Sequence, residues 1–134
     1  MCGIAGIVSI GSSPAPAVAE RMGAALAHRG PDDNGLWHDP RCALAHRRLS
    51  VIDPGPAGHQ PMTSADGRFV IAYNGELYND PELRGELGPR GFQARSHCDT
   101  ETLLHTLSVW GIDAAPRLRG MYAFALLDTL EQTL

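Results

Sequence analysis

The second residue of the chain is a cysteine, and its position gives it chemical meaning. Loss of Met1 would leave Cys2 carrying a thiol and a free α-amino group on one residue. The amine can then act as the built-in base for the sulfur, directly or through a water, as in N-terminal nucleophiles generally. At an arbitrary position a terminal cysteine is only a small apolar residue, so the rest of the chain has to justify the stronger reading. Two further cysteines, at 42 and 98, and six histidines raise a zinc site as a competing chemistry. The adjacent His97 and Cys98 are not at the ligand spacing of a structural site, and no metal is expected.

A nucleophile at the terminus needs a rigid element directly behind it. Gly3 and Gly6 allow close backbone approach, and Ile4, Ile7 and Val8 supply the apolar content of a buried strand over residues 3–9. Gly11-Ser12-Ser13-Pro14 reads as a turn, followed by a helix from about Pro16 with Val18, Met22, Ala25 and Leu26 on one face. His28-Arg29-Gly30-Pro31 stops that helix, and Asp32-Asp33-Asn34-Gly35 reads as a polar turn. A strand begins at Cys42, and Asp53 to Pro61 is rich in Pro and Gly, as an irregular loop would be. Asp66-Gly67 signals a hairpin into a strand Phe69–Tyr73 that ends at a turn, Asn74-Gly75. Asp80-Pro81 predicts a helix start, with Leu83 and Leu87 paired at i and i+4. Asp99 or Thr100 should cap a second helix carrying Leu103, Leu104, Leu107 and Trp110, stopped at Gly111. Gly120 to Asp128 reads as a strand buried on both faces.

Composition bounds the function. A chain of 134 residues fits one domain with a real core. A net charge of −4 gives no electrostatic reason for nucleic acid or an anionic membrane as partner. No apolar run reaches the length needed to span a bilayer, and no basic segment precedes an apolar one, so a cytoplasmic location is expected. Three cysteines form no even disulfide set, and reduced thiols follow.

Five stretches, taken in order, carry a resemblance. They are Met1-Cys2-Gly3-Ile4-Ala5-Gly6, His28-Arg29-Gly30-Pro31-Asp32, His46-Arg47-Arg48-Leu49-Ser50, Asn74-Gly75-Glu76-Leu77-Tyr78-Asn79 and Cys98-Asp99-Thr100-Glu101. Together they resemble the class II glutamine amidotransferase domain, and specifically its asparagine synthetase branch. The likeness runs from residue 2 to about residue 128 and includes Leu118-Arg119-Gly120-Met121-Tyr122-Ala123-Phe124-Ala125. It implies an α+β fold, the N-terminal nucleophile hydrolase sandwich of two antiparallel sheets between helix layers. It further implies hydrolysis of glutamine to glutamate and ammonia through a thioester on the N-terminal cysteine.

Carried over residue by residue, the resemblance makes Cys2 the nucleophile and its α-amino group the proton shuttle. Hydrolysis of an unactivated carboxamide also needs donors for the tetrahedral oxyanion, a role the resemblance gives to the Asn74 side-chain amide and the Gly75 N–H. Asn-Gly is also an ordinary hairpin turn. The substrate's α-carboxylate calls for a fixed cation and its α-ammonium for fixed anions. Arg48 is the candidate for the first, and Asp99 with Glu76 for the second. Ile52 lies where the family lends backbone groups to glutamine, while His46 and Arg47 are expected to support the loop. Cys98 brings a second thiol near the pocket, where the family more often has a small polar residue.

Members of the family continue through another strand, and asparagine synthetases then carry a second domain whose Ser-Gly-Gly-x-Asp-Ser loop binds ATP pyrophosphate. Neither occurs here. The expectation is therefore a partial glutaminase domain over residues 1–134, incomplete at its C-terminal end, with the synthetase domain acting in cis or trans. No cofactor is expected on this chain, and ATP and Mg only with a synthetase domain elsewhere. A homodimer stays open. Two other readings remain: the glutaminase part of an amidotransferase serving glucosamine 6-phosphate or phosphoribosylamine synthesis, or a catalytically silent interaction module with an exposed last strand.

Overall fold

A computed structural model describes residues 1–9 and 13–134. Residues 11 and 12 of the turn expected over Gly11–Pro14 lie outside the described residues. Two three-stranded antiparallel sheets lie face to face. The first has the order β1-β3-β2, built from Gly3–Val8 (β1), Asp33–His38 (β2) and Cys42–Arg48 (β3). The second has the order β4-β5-β6, from Met62–Thr63 (β4), Phe69–Leu77 (β5) and Gly120–Asp128 (β6). Helix α1, Pro16–Ala25, covers β1 and β3. Helices α2, Asp80–Leu87, and α3, Asp99–Trp110, pack together, and α3 lies on β5. The layers are thus helix, sheet, sheet, helix, an α+β sandwich.

The two-residue period of the strands assigns the side chains to layers. On β3, Cys42 and Leu44 meet Val70 and Leu127 between the sheets, and His46 reaches the same way to the Tyr73 carbonyl of β5 at 2.9 Å. Arg47, on the opposite face, reaches α1 and donates to the Gly23 carbonyl at 3.1 Å. On β5, Ile71, Tyr73 and Leu77 face the helices and join Leu83, Leu103, Leu104 and Leu107 in the larger core cluster. Asn74 and Glu76 alternate with them, toward the first sheet.

Four local expectations are corrected. Residues 33–35 are not a turn but the start of β2, because Asp33, Asn34 and Gly35 pair with Arg48, Arg47 and His46 of β3. The buried face of α1 is Ala19 and Gly23, while Met22 is exposed; a Cβ on Gly23 would sit 3.0 Å from the Ala45 Cβ, so small residues set how closely helix and sheet approach. β5 runs through Asn74 and Gly75 to Leu77, so this pair is strand, not turn. It is β5, not β6, that is enclosed on both faces: β6 lies at the sheet edge with Met121 and Tyr122 exposed, and only its end, Leu127 and Asp128, is buried. The other helices fall close to their sequence signals. Helix α2 starts at Asp80 with Pro81 in its first turn, and Gly111 ends α3 with a φ of 59°.

Candidate functional site

Cys2 immediately precedes β1, and its sulfur lies against Leu49. The Leu49 N–H donates to Sγ at 3.3 Å, and the thiol faces the Leu49 carbonyl at 3.8 Å. Residues 29–32 brace both partners. Arg29 Nε donates to the Cys2 carbonyl at 2.9 Å, the Asp32 N–H donates to the Arg48 carbonyl at 3.0 Å, and Asp32 Oδ2 accepts the Ser50 N–H at 2.7 Å.

Arg48 ends β3 on the face opposite Arg47 and is 5% exposed. Its Nη1 donates to the Gly55 carbonyl at 2.9 Å, and Nη2 to the carbonyls of Ile52, at 3.2 Å, and Asp53. Gly58 packs closely beside it, and a Cβ there would lie 1.9 Å from Nη2 and displace the guanidinium. A guanidinium has five N–H donors, so about two remain for a ligand. Arg48 is therefore first a clamp on the 52–55 loop, in addition to the carboxylate-binding cation expected from the sequence. That loop is tied onward: Asp53 Oδ2 accepts the His97 N–H at 3.0 Å, and Asp53 itself takes a φ of 50°, which Asp tolerates better than most residues.

Asp99 is the first residue of α3, with Cys98 in the cap position, and no side chain caps the helix. Instead the Asp99 carboxylate turns to β5, where its Oδ2 accepts the Leu77 N–H and the Tyr73 hydroxyl, each at 3.0 Å. Burial raises the Asp99 carboxyl above the usual carboxylate range, and these two hydrogen bonds oppose the rise. Burial, then the adjacent Asp99, holds the Tyr73 phenol far above its ordinary value, so it remains a donor. Burial also pushes the Cys98 thiol up; it sits 3.3 Å from Thr100 Oγ1 as a packed, protonated group.

These pieces converge. A cavity of about 370 Å³ is lined by Cys2, Arg48, Ile52, Asn74, Gly75, Glu76 and Asp99, together with Met1, Leu49, Val51, Gln60, Tyr73, Cys98, Thr100 and Met121 to Ala123. Its size suits a small metabolite rather than a polymer. The buried Asn74 Oδ1 has no protein partner, which marks an unsatisfied amide at the cavity wall. Gly75 is needed for the sheet itself, because a Cβ there would stand 2.3 Å from the Met121 carbonyl oxygen of β6.

Over residues 1–134 the chain matches the family model described as a glutamine amidotransferase domain. The chain belongs to that family. It is 41% identical over 132 residues to the glutamine-hydrolyzing asparagine synthetase 3 of Bacillus subtilis (strain 168), covering 96% of this chain and 21% of the relative. It is 38% identical over 136 residues to the glutamine-hydrolyzing asparagine synthetase of Zea mays, covering 99% and 22%. This amidotransferase domain thus spans about a fifth of the length of the curated relatives it matches. In fold it is similar to the glutamine phosphoribosylpyrophosphate amidotransferase of B. subtilis solved with ADP and GMP, with a TM-score of 0.77 at 22% identity, over 96% of this chain and 35% of that one. No helix among the described residues is long and apolar enough to cross a membrane.

The seven residues given a catalytic or substrate role from the sequence, Cys2, Arg48, Ile52, Asn74, Gly75, Glu76 and Asp99, all line this amidotransferase cavity. His46 and Arg47, expected to support the loop, instead reach β5 and α1. Tyr73, Gln60 and Leu49 were missed. Tyr73 reads as one more apolar strand residue, and Leu49 meets the sulfur through its backbone N–H and carbonyl, which leave no trace in residue type. Gln60 sits in the irregular loop, where periodicity gives no orientation.

Proposed function

We propose that this domain hydrolyses glutamine to glutamate and ammonia through an N-terminal cysteine, and that the ammonia feeds an ATP-dependent, asparagine synthetase-type amide-forming reaction. The observation that carries the reading is the single cavity on which Cys2, Arg48, Asn74, Gly75, Glu76 and Asp99 border. Removal of Met1 gives Cys2 the free amine it lacks while its nitrogen is an amide. The sulfur gives up its proton to that amine and attacks the side-chain carbonyl carbon of glutamine. The resulting oxyanion is held by the Asn74 amide and the Gly75 N–H. The C–N bond then breaks, the amine returns its proton to the leaving ammonia, and a thioester remains. Water adds to the thioester, glutamate leaves, and the thiol is restored. Arg48 takes the α-carboxylate with its remaining N–H donors, Asp99 and Glu76 take the α-ammonium, and Ile52 contributes backbone from the loop Arg48 holds.

The ammonia acceptor, ATP and Mg belong in this reading to a synthetase portion in cis or trans, and the place of action is the cytoplasm. The glutamine-hydrolyzing asparagine synthetases at 41% and 38% identity favour this branch over glucosamine 6-phosphate or phosphoribosylamine synthesis. The test is ammonia release from glutamine by protein whose intact mass proves loss of Met1. Activity should vanish in Cys2→Ala; activity that persists in that variant, or in protein retaining Met1, refutes the mechanism.

A further inference from the structure

Tyr73 borders the cavity but has no part in the reaction just described. Tyr73 is 2% exposed, and each of its polar groups is engaged. Its N–H donates to Gln60 Oε1 at 2.6 Å, its carbonyl accepts from His46 Nε2 at 2.9 Å, and its hydroxyl donates to Asp99 Oδ2 at 3.0 Å. Gln60 in turn donates from Nε2 to Thr100 Oγ1 at 3.2 Å, the residue after Asp99. The backbone of Tyr73 is thereby fixed from two sides, and its ring carries a donor to the carboxylate from a rigid strand.

Both side-chain and backbone donors that Asp99 receives from β5 fall on the same oxygen, Oδ2, and neither on Oδ1. Such an arrangement orients the carboxylate plane and favours its charged form against the cost of burial. A charged, oriented carboxylate distinguishes a substrate with an α-ammonium from an amide that has none; a neutral or rotating one does not. We propose that Tyr73 is a positioning residue for α-ammonium recognition: its hydroxyl fixes the Asp99 carboxylate, and so makes the cavity selective for α-amino acid amides. This rests on the glutaminase reading for the identity of the substrate.

The test measures equilibrium binding in a Cys2→Ala background, where no turnover intervenes. Glutamine and glutaramate, the same amide without the α-amine, are titrated by calorimetry against Cys2→Ala alone and with Tyr73→Phe, Asp99→Asn and both. Loss of one hydrogen bond to a charged group should weaken glutamine binding by about tenfold in Tyr73→Phe. Glutaramate binding should be unchanged, and Tyr73→Phe should add little once Asp99→Asn is present, because the two act as one unit. Equal weakening toward both ligands, or full additivity of the two substitutions, overturns the proposal, as does unaltered glutamine affinity or no glutamine binding at all. Glutamine binding without ammonia release by the unsubstituted domain would strike the hydrolysis reading alone.

Discussion

The N–H of Leu49 is directed at the sulfur of Cys2 across 3.3 Å, and Leu49 is kept there by its neighbour, since the Ser50 N–H is bound by Asp32 Oδ2 at 2.7 Å. A side chain two elements away thus sets the placement of the nucleophile. Asp32→Ala should lower kcat for glutamine hydrolysis by about tenfold, the worth of one orienting hydrogen bond, with a smaller change in KM. Steady-state ammonia release measures both, and an unchanged kcat would show that residues 49–50 hold their course without Asp32.

Arg48 offers three N–H groups to carbonyls of the 52–55 loop. Arg48→Ala should raise KM for glutamine by tenfold or more, and Arg48→Lys should fail to restore it, because an ammonium has neither the planar fork nor its reach. Limited proteolysis between residues 51 and 57 should speed up in both variants. A normal KM in Arg48→Lys would mean that point charge alone suffices.

His46 is buried between the sheets and donates from Nε2 to the Tyr73 carbonyl, while its buried Nδ1 has no partner. Burial is the main cause that lowers its pKa from 6.5 to about 4. The unfolded chain therefore binds a proton between those values that the folded chain refuses, and stability falls as pH drops through that window. The loss amounts to roughly 3 kcal/mol, complete near pH 4 and absent above about 7. Urea melts at pH 7 and pH 4.5 should show it, and His46→Gln should flatten the difference.

Gly75→Ala drives a methyl toward the Met121 carbonyl, with the Tyr122 Cα at 2.7 Å, so it should destabilise the domain by about 1–3 kcal/mol. Its loss of activity would then mix two causes. Asn74→Ala separates them: kcat should fall by about 10²–10³ with the melting temperature nearly unmoved. A drop in melting temperature equal to that of Gly75→Ala would place Asn74 among the structural residues.

The strand-to-helix order was readable because each boundary carried its own signal, Pro16 and Pro81 at helix starts and Gly111 at a helix end. Pairing partners were less so. Asp33-Asn34-Gly35 has the composition of a turn, and only the ladder with β3 makes it strand. Likewise Asn74-Gly75 looks like a hairpin tip until nine residues of β6 pair along β5. The residues bordering the cavity could be named from motif and chemistry, but what holds them could not. The Leu49 contact with sulfur and the Tyr73 hydroxyl each depend on elements remote in sequence, and the Arg48 clamp ends on backbone carbonyls that residue type does not reveal.

The cavity straddles a seam. Cys2 and Arg48 come from the first sheet, Asn74, Gly75 and Glu76 from the second, and His46 with Tyr73 stitches one sheet to the other. A slip of the sheets by a fraction of an ångström would leave every strand intact and still pull the sulfur out of line with the amide it must meet. Heat or mild denaturant should therefore silence this protein before any spectroscopic sign of melting, and a bound amino acid, gripping both sheets at once, should postpone the silence.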